Sequence, residues 1–229
     1  RDPILRAAIR GMAEQAHAEV IVGAVNFDGP GETIPRESAN VVDSSGKQIF
    51  RYDKIHLVPF GEYTPSWLKG IAGKITSEVG DFVPGHNYGF IRLEHGAIGI
   101  FICYESIFPQ LVRRLTPPGP SVLVNISDDA WYGDSSARFQ HLEMAEVRAI
   151  ENHRYLLRDT NDGITVVIDP YGRITQRLAE HQRTTLTGRF SYVSGRTFYN
   201  AHGDVFAWLC VILTGLIVAL SFMKTKERQ

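Results

Sequence analysis

Residues 97–106 read AIGIFICYES, an apolar run that ends on a thiol and passes into Tyr104 and Glu105. A short apolar run of this kind reads as a strand, and residues 105–115 read as a helix stopped by TPPGP at 116–120. Outward from this unit, strands fit 19–26 (EVIVGAVN), 39–43, 47–51, 88–93, 121–126 (SVLVNI), 164–168 (ITVVI) and 173–178. A further helix fits 136–152, with Phe139, Leu142, Met144, Ala145, Val147 and Ala149 as its buried face. The chain opens in an amphipathic helix carrying Ile4, Leu5, Ala8, Ile9, Met12 and Ala13 on one stripe. Residues 29–37 and 59–84 read as loops. Strands alternating with helices predict a layered α/β fold.

At 229 residues the chain is long enough for a large core. Its 24 Lys+Arg against 25 Asp+Glu leave it near neutral, which argues against a nucleic-acid partner. Two cysteines make neither a disulfide framework nor a four-cysteine zinc site. No dinucleotide, P-loop or HExxH motif is present, and the eight His are scattered without ligand spacing. No cofactor and no metal are therefore expected. The glycosylation triplet at Asn125 lies in an apolar strand and carries no weight.

Residues 205–223 read VFAWLCVILTGLIVALSFM, nineteen residues without a charge. As a helix they span roughly 28 Å, close to the apolar thickness of a bilayer. Lys224, Lys226 and Arg228 follow, so the positive-inside rule puts the tail 224–229 in the cytoplasm and residues 1–204 outside it. A buried core helix is the alternative. Residue 1 is Arg, and the chain reads as the C-terminal piece of a longer protein.

Cys103 closes a strand and opens a helix, where backbone amides stabilise a thiolate or a developing oxyanion. By position alone, nucleophile and packed structural cysteine remain equally open. Cys210 lies inside the apolar run and reads as inert. Residues 52–63, YDKIHLVPFGEY, set charges beside apolar residues at the start of a long loop. A buried Lys54 near a cysteine would favour thiolate, and Glu62 would orient that lysine or an incoming amine; as ordinary surface charges they would do neither. Phe60, Tyr63, Trp67 and Leu68 form an apolar-aromatic loop suited to lipid or to packing on the domain itself.

Three segments taken together resemble the apolipoprotein N-acyltransferases, whose catalytic domain is nitrilase-like: YDKIHLVPFGEYTP (52–65), FICYESIFP (101–109) and the stretch from ISDDAWYG (126–133) through DPYG (169–172). The resemblance covers most of residues 10–220. It implies a nitrilase-like αββα sandwich over residues 1–204, N-terminally incomplete, followed by one transmembrane helix at 205–223. It implies Cys103 as nucleophile, Lys54 as triad lysine and Glu62 as a further essential carboxylate. Tyr104 and Glu105 complete a Cys-Tyr-Glu motif, and Trp131 matches an aromatic residue on the lipid side of the pocket.

Two departures stand out. Asp128-Asp129 replaces the Asn-Asp of the family, which leaves the role of Asp128 open. The general-base Glu of the family belongs to a Pro-Glu motif upstream of residue 1, and neither Glu14 nor Glu19 fits it. A chain without that Glu is expected to be crippled.

The implied reaction moves an acyl chain from a phospholipid, through a Cys103 thioester, to the α-amino group of a diacylglyceryl-apolipoprotein. The expected location is the bacterial inner membrane, with the catalytic domain periplasmic. A nitrilase-type amidase acting on a small amide is the second reading. A non-catalytic lipid- or lipoprotein-binding fragment is the third.

Overall fold

The apolar run at 97–102 forms strand β5 (Ala97–Ile102), buried along its whole length. Its neighbours in the sheet are the strand just before it in the chain and the strand that follows the next α-helix. In the computed structural model, which describes residues 2–65, 81–179 and 181–226, β5 lies within a six-stranded mixed sheet of order β4-β5-β6-β7-β8-β9. The other strands are β4 (Phe90–Arg92), β6 (Ser121–Ser127), β7 (Leu156–Thr160), β8 (Val166–Ile168) and β9 (Ile174–Arg177). The β5–β6 and β6–β7 pairs are parallel, and each connection carries a helix, α2 (Pro109–Leu115) and α3 (Ala137–Asn152). A second sheet, β1 (Val20–Asp28), β2 (Ile34–Val42) and β3 (Gln48–Asp53), is an antiparallel meander.

Helix α1 (Pro3–Ala16) packs on β1 and β2, β2 packs on β5, and α2 and α3 pack on β5 and β7. The order is helix, sheet, sheet, helix. Ala39, Val41 and Tyr52 from one sheet join Ile98, Ile100 and Ile102 from the other in a single core. Gly99 shows how closely the outer layer sits: a Cβ there would lie 2.3 Å from the Leu115 carbonyl oxygen.

Several boundaries differ from the sequence expectation. The expected loop at 29–37 is a loop only over 29–33: β2 starts at Ile34 and pairs with β1 from Asp28↔Ile34 onward. Polar residues disguise it, because Arg36 meets Asp28 at 2.8 Å and Glu37 meets Lys54 at 2.9 Å. Strand β7 went unseen for the same reason, since Arg158 and Asp159 interrupt its apolar pattern. The helix expected at 105–115 is a 3-10 turn (Cys103–Ile107) and then α2, with Pro109 in its first turn.

On α3, Leu142, Ala145 and Ala149 are buried as expected, but Phe139, Met144 and Val147 are exposed. Arg138, His141, Arg148 and Asn152 share the buried stripe instead. Hydrogen bonds hold those polar groups, with Asn152 bonded to Asn200 and Arg148 to the Ser106 carbonyl.

Helix α4 (Phe198–His202) leads into α5 (Val205–Lys226), which is apolar on every face. Arg113 of α2 donates to the carbonyls of Tyr199, Asn200 and Ala201 and so fixes the end of α4. The large apolar residues of α5, Phe206, Trp208, Leu213 and Leu216 among them, are exposed. Counted over the described residues alone, no helix is long and apolar enough to cross a membrane. The side chains of Phe222 and of residues 224–226 lie outside that description, as do residues 227–229 of the expected tail.

Candidate active site

Cys103 follows β5 directly and has φ +48°, in the left-handed region that a side chain adopts only at a cost, on the order of 1 kcal/mol. Two contacts impose it. On one side, Glu105 accepts from the Ile102 amide at 2.7 Å and tightens the turn. On the other, His141 Nε2 lies 3.1 Å from the Cys103 carbonyl oxygen, so that nitrogen carries the hydrogen and donates. The thiol is turned out of the strand toward the space between the two sheets.

Lys54 reaches the same space from the end of β3. Its side chain is fully buried, and its ammonium donates to Glu37 at 2.9 Å and also to Glu62. Burial works against the charge of Lys54, but Glu37, Cys103 and Glu62 outweigh it and raise the pKa. Burial pushes Glu62 up, with the like charge of Glu37 adding and the Lys54 contact opposing. Glu62 is held in turn by the Val58 amide at 2.9 Å. The thiol of Cys103 is also raised by burial, against the pull of Lys54, Ser127 and the Tyr104 amide. The sulfur thus lies in the same cavity as the Lys54 amine and the carboxyl groups of Glu37 and Glu62.

Glu105 does not reach the cavity. It is wholly buried and accepts from the Tyr52 hydroxyl (2.8 Å), the Ile55 amide (2.7 Å) and the His56 amide (3.1 Å), besides Ile102. It ties the Lys54 strand to the Cys103 turn. Burial raises its pKa to about 7 although four donors oppose it. Tyr104 packs edge-on against Phe108, with ring centroids 5.2 Å apart. Trp131, in the 3-10 turn Asp129–Tyr132, is 76% exposed.

One cavity of about 580 Å³ is lined by Lys54, Glu62, Cys103 and Trp131 together. The structure thus brings four of the six expected residues to one place and puts Tyr104 and Glu105 behind them. Phe60 is exposed, and Tyr63 lines a neighbouring cavity. Trp67 and Leu68 lie outside the described residues. Cys210 is a free, exposed thiol on α5. Among the described residues, no group of His, Cys, Asp and Glu is gathered to hold a metal.

Two features escaped the sequence reading. The first is Glu37, which lines the Cys103 cavity and touches Lys54; only a strand assignment at 34–38 would have aligned it with Lys54. The second is a buried cluster behind Cys103. Asp129 Oδ1 accepts from Ser127 at 2.6 Å and lies 3.1 Å from His141 Nδ1, while Oδ2 accepts from Arg158 at 2.6 Å. Although burial opposes it, the contacts with His141, Arg158 and Ser127 hold the Asp129 carboxyl down at about 2. Asp128 is exposed, lines the Cys103 cavity, and accepts from the Ala130 amide and the Asn161 side chain.

The family model for carbon-nitrogen hydrolases matches residues 5–197. A Geobacter metallireducens protein named apolipoprotein N-acyltransferase is 40% identical over 225 residues, covering 97% of this chain and 43% of that protein. The protein of the same name from Azotobacter vinelandii is 37% identical over 184 residues, 79% of this chain and 34% of that one. The chain thus spans less than half the length of these relatives.

Among solved structures, a mutant of the Nesterenkonia AN1 amidase from the nitrilase superfamily superposes with a TM-score of 0.60 at 22% identity. It covers 78% of this chain and 63% of the amidase. Another mutant of that amidase, with the acetamide moiety of fluoroacetamide on its active-site cysteine, gives 0.57 at 21% identity over 77% of this chain and 63% of its own. The nitrilase-like α/β fold and the family match over most of its length lead to one assignment: the chain belongs to the carbon-nitrogen hydrolase family.

Proposed function

We propose that this chain is the catalytic part of an apolipoprotein N-acyltransferase. The observation that carries the reading is that Cys103, Lys54 and Glu62 line one cavity, with Lys54 fully buried. Cys103 gives up its thiol proton as the sulfur attacks the ester carbonyl of a phospholipid; a C–S bond forms, the glycerol C–O bond breaks, and the proton released by the thiol is the one that protonates the leaving group. The alkoxide takes up that proton and leaves as a lysophospholipid. The free α-amino group of a diacylglyceryl-apolipoprotein then attacks the thioester. A C–N bond forms, the C–S bond breaks, the nitrogen loses a proton and Cys103 regains one.

Lys54 and the backbone amides of the turn hold the oxyanion in both steps. Glu62 orients Lys54. Tyr104 and Glu105 support the turn, and Trp131 lies on the lipid side. Nothing in the site supports the expected loss of activity.

The proposed organisation is a catalytic domain at 1–204, a membrane helix at 205–223 and a cytoplasmic tail at 224–229. What supports it is the charge-free run on α5 and the exposure of its apolar side chains on all faces. The catalytic domain then faces the periplasm at the inner membrane, where phospholipid and lipoprotein both lie. The likeness to amidases gives the second reading, hydrolysis of a small amide by the same cysteine. Supplying the purified protein with phospholipid and a diacylglyceryl peptide separates the two. Amide product on the peptide supports the acyltransferase; release of free acid from small amides, with no amide formed, supports the amidase.

A further inference from the structure

Lys54 has three N–H bonds and two carboxylate partners. Glu62 holds one N–H and Glu37 another. The two carboxylates come from different elements, Glu37 from β2 and Glu62 from the loop after β3. Glu37 is also bound to Lys54 through the backbone, since its carbonyl accepts from the Lys54 amide at 2.8 Å. The register Ser38↔Asp53 fixes this neighbour relation. A lysine ammonium rotates freely on its last bond, so a single partner leaves its remaining protons undirected. Two partners fix it and leave the third N–H as the one available to a reacting group.

We propose that Glu37 is a positioning residue of the acyl-transfer site, which with Glu62 clamps Lys54 so that its third N–H is directed to the oxyanion formed at Cys103. This inference rests on the reading of Cys103 and Lys54 given above. It adds a residue that the expected triad does not contain.

The charge balance points the same way. The groups that bear on Lys54 are Glu37 on β2, Glu62 after β3, Cys103 after β5 and Tyr132 after β6. Burial disfavours the ammonium, and Glu37 is the largest of the opposing influences. An oxyanion-holding lysine must stay protonated, so Glu37 extends activity toward alkaline pH. Removal of its charge lowers the pKa of Lys54 and moves the alkaline limb of the pH–rate profile to lower pH.

The test measures acyl transfer from phospholipid by the purified protein in detergent, comparing wild type, Glu37→Gln, Glu37→Asp and Cys103→Ala. For Glu37→Gln, kcat is expected to fall about 10- to 100-fold with KM within about twofold. Its alkaline limb is expected to move down by about one pH unit. Glu37→Asp is expected to recover part of kcat and part of the limb. A Glu37→Gln protein with kcat within about twofold of wild type, or with lowered kcat and an unmoved limb, overturns the proposal. If Glu37→Gln does not fold, the same two readouts on Glu37→Asp decide. Persistent turnover in Cys103→Ala overturns the underlying reading instead, whatever Glu37 does.

Discussion

Replacing Asp129 by Asn tests whether the polar cluster behind Cys103 is a structural necessity. Asp129 and Arg158 are both fully buried at the side chain and 2.6 Å apart. The substitution leaves a guanidinium in the core without its countercharge, which costs about 3–5 kcal/mol when one partner of a buried pair is removed. A carboxyl held at about 2 rather than 3.8 corresponds to about 2 kcal/mol of that total. The remainder comes from turning an amide NH2 toward donors. Against a domain stability of about 5–15 kcal/mol this is a large fraction.

Urea unfolding in micelles, followed by tryptophan fluorescence, is expected to show the midpoint lowered by about 1 M or more with an unchanged slope. The pH dependence has a definite sign. The folded pKa of Asp129 is depressed, so its contribution is present above 3.8 and lost as pH falls toward 2. Wild type loses that stability on acidification, and Asp129→Asn does not. In a double-mutant cycle with Arg158→Met, the double variant is expected to be more stable than Asp129→Asn alone, because no buried charge is left unpaired. A cost below about 1 kcal/mol, or strict additivity in the cycle, refutes the reasoning.

Gly99→Ala would place a Cβ 2.3 Å from the Leu115 carbonyl and force β5 and α2 apart. A loss of about 1–3 kcal/mol is expected in the same unfolding assay, with a parallel fall in acyl transfer because Cys103 follows β5. Trp131→Ala, by contrast, removes an exposed side chain on the cavity rim. It is expected to change stability by less than about 0.5 kcal/mol while raising KM for the lipid donor, as steady-state kinetics against vesicle concentration would show.

The parts of the fold legible in the sequence are those where apolar pattern and burial coincide. Residues 97–102 form β5 with the bounds expected, and the turn that presents Cys103 follows at once. Lys54, Glu62 and Trp131, which stand in recognisable motifs, line one cavity with Cys103. What stayed hidden was charge buried or half-buried inside regular structure. Glu37 and Arg36 disguised the first half of β2, Arg158 disguised β7, and His141 and Arg148 took places on α3 that Phe139 and Val147 were expected to fill. Each is a polar group whose burial is stabilised by a partner far along the chain. A one-dimensional pattern ranks such residues as surface because it cannot see the partner. The same blindness explains why Glu37 was missed while Glu62, which lies in a recognisable motif, was not.

The central claim is that Cys103 carries the acyl group between donor and acceptor. Intact-mass and peptide mass spectrometry of the protein mixed with phospholipid, before any acceptor is added, tests it most directly. One acyl adduct is expected, located on Cys103, removed by hydroxylamine and discharged when the diacylglyceryl peptide is supplied. An adduct on another residue, or amide product formed at the wild-type rate by Cys103→Ala, would contradict it.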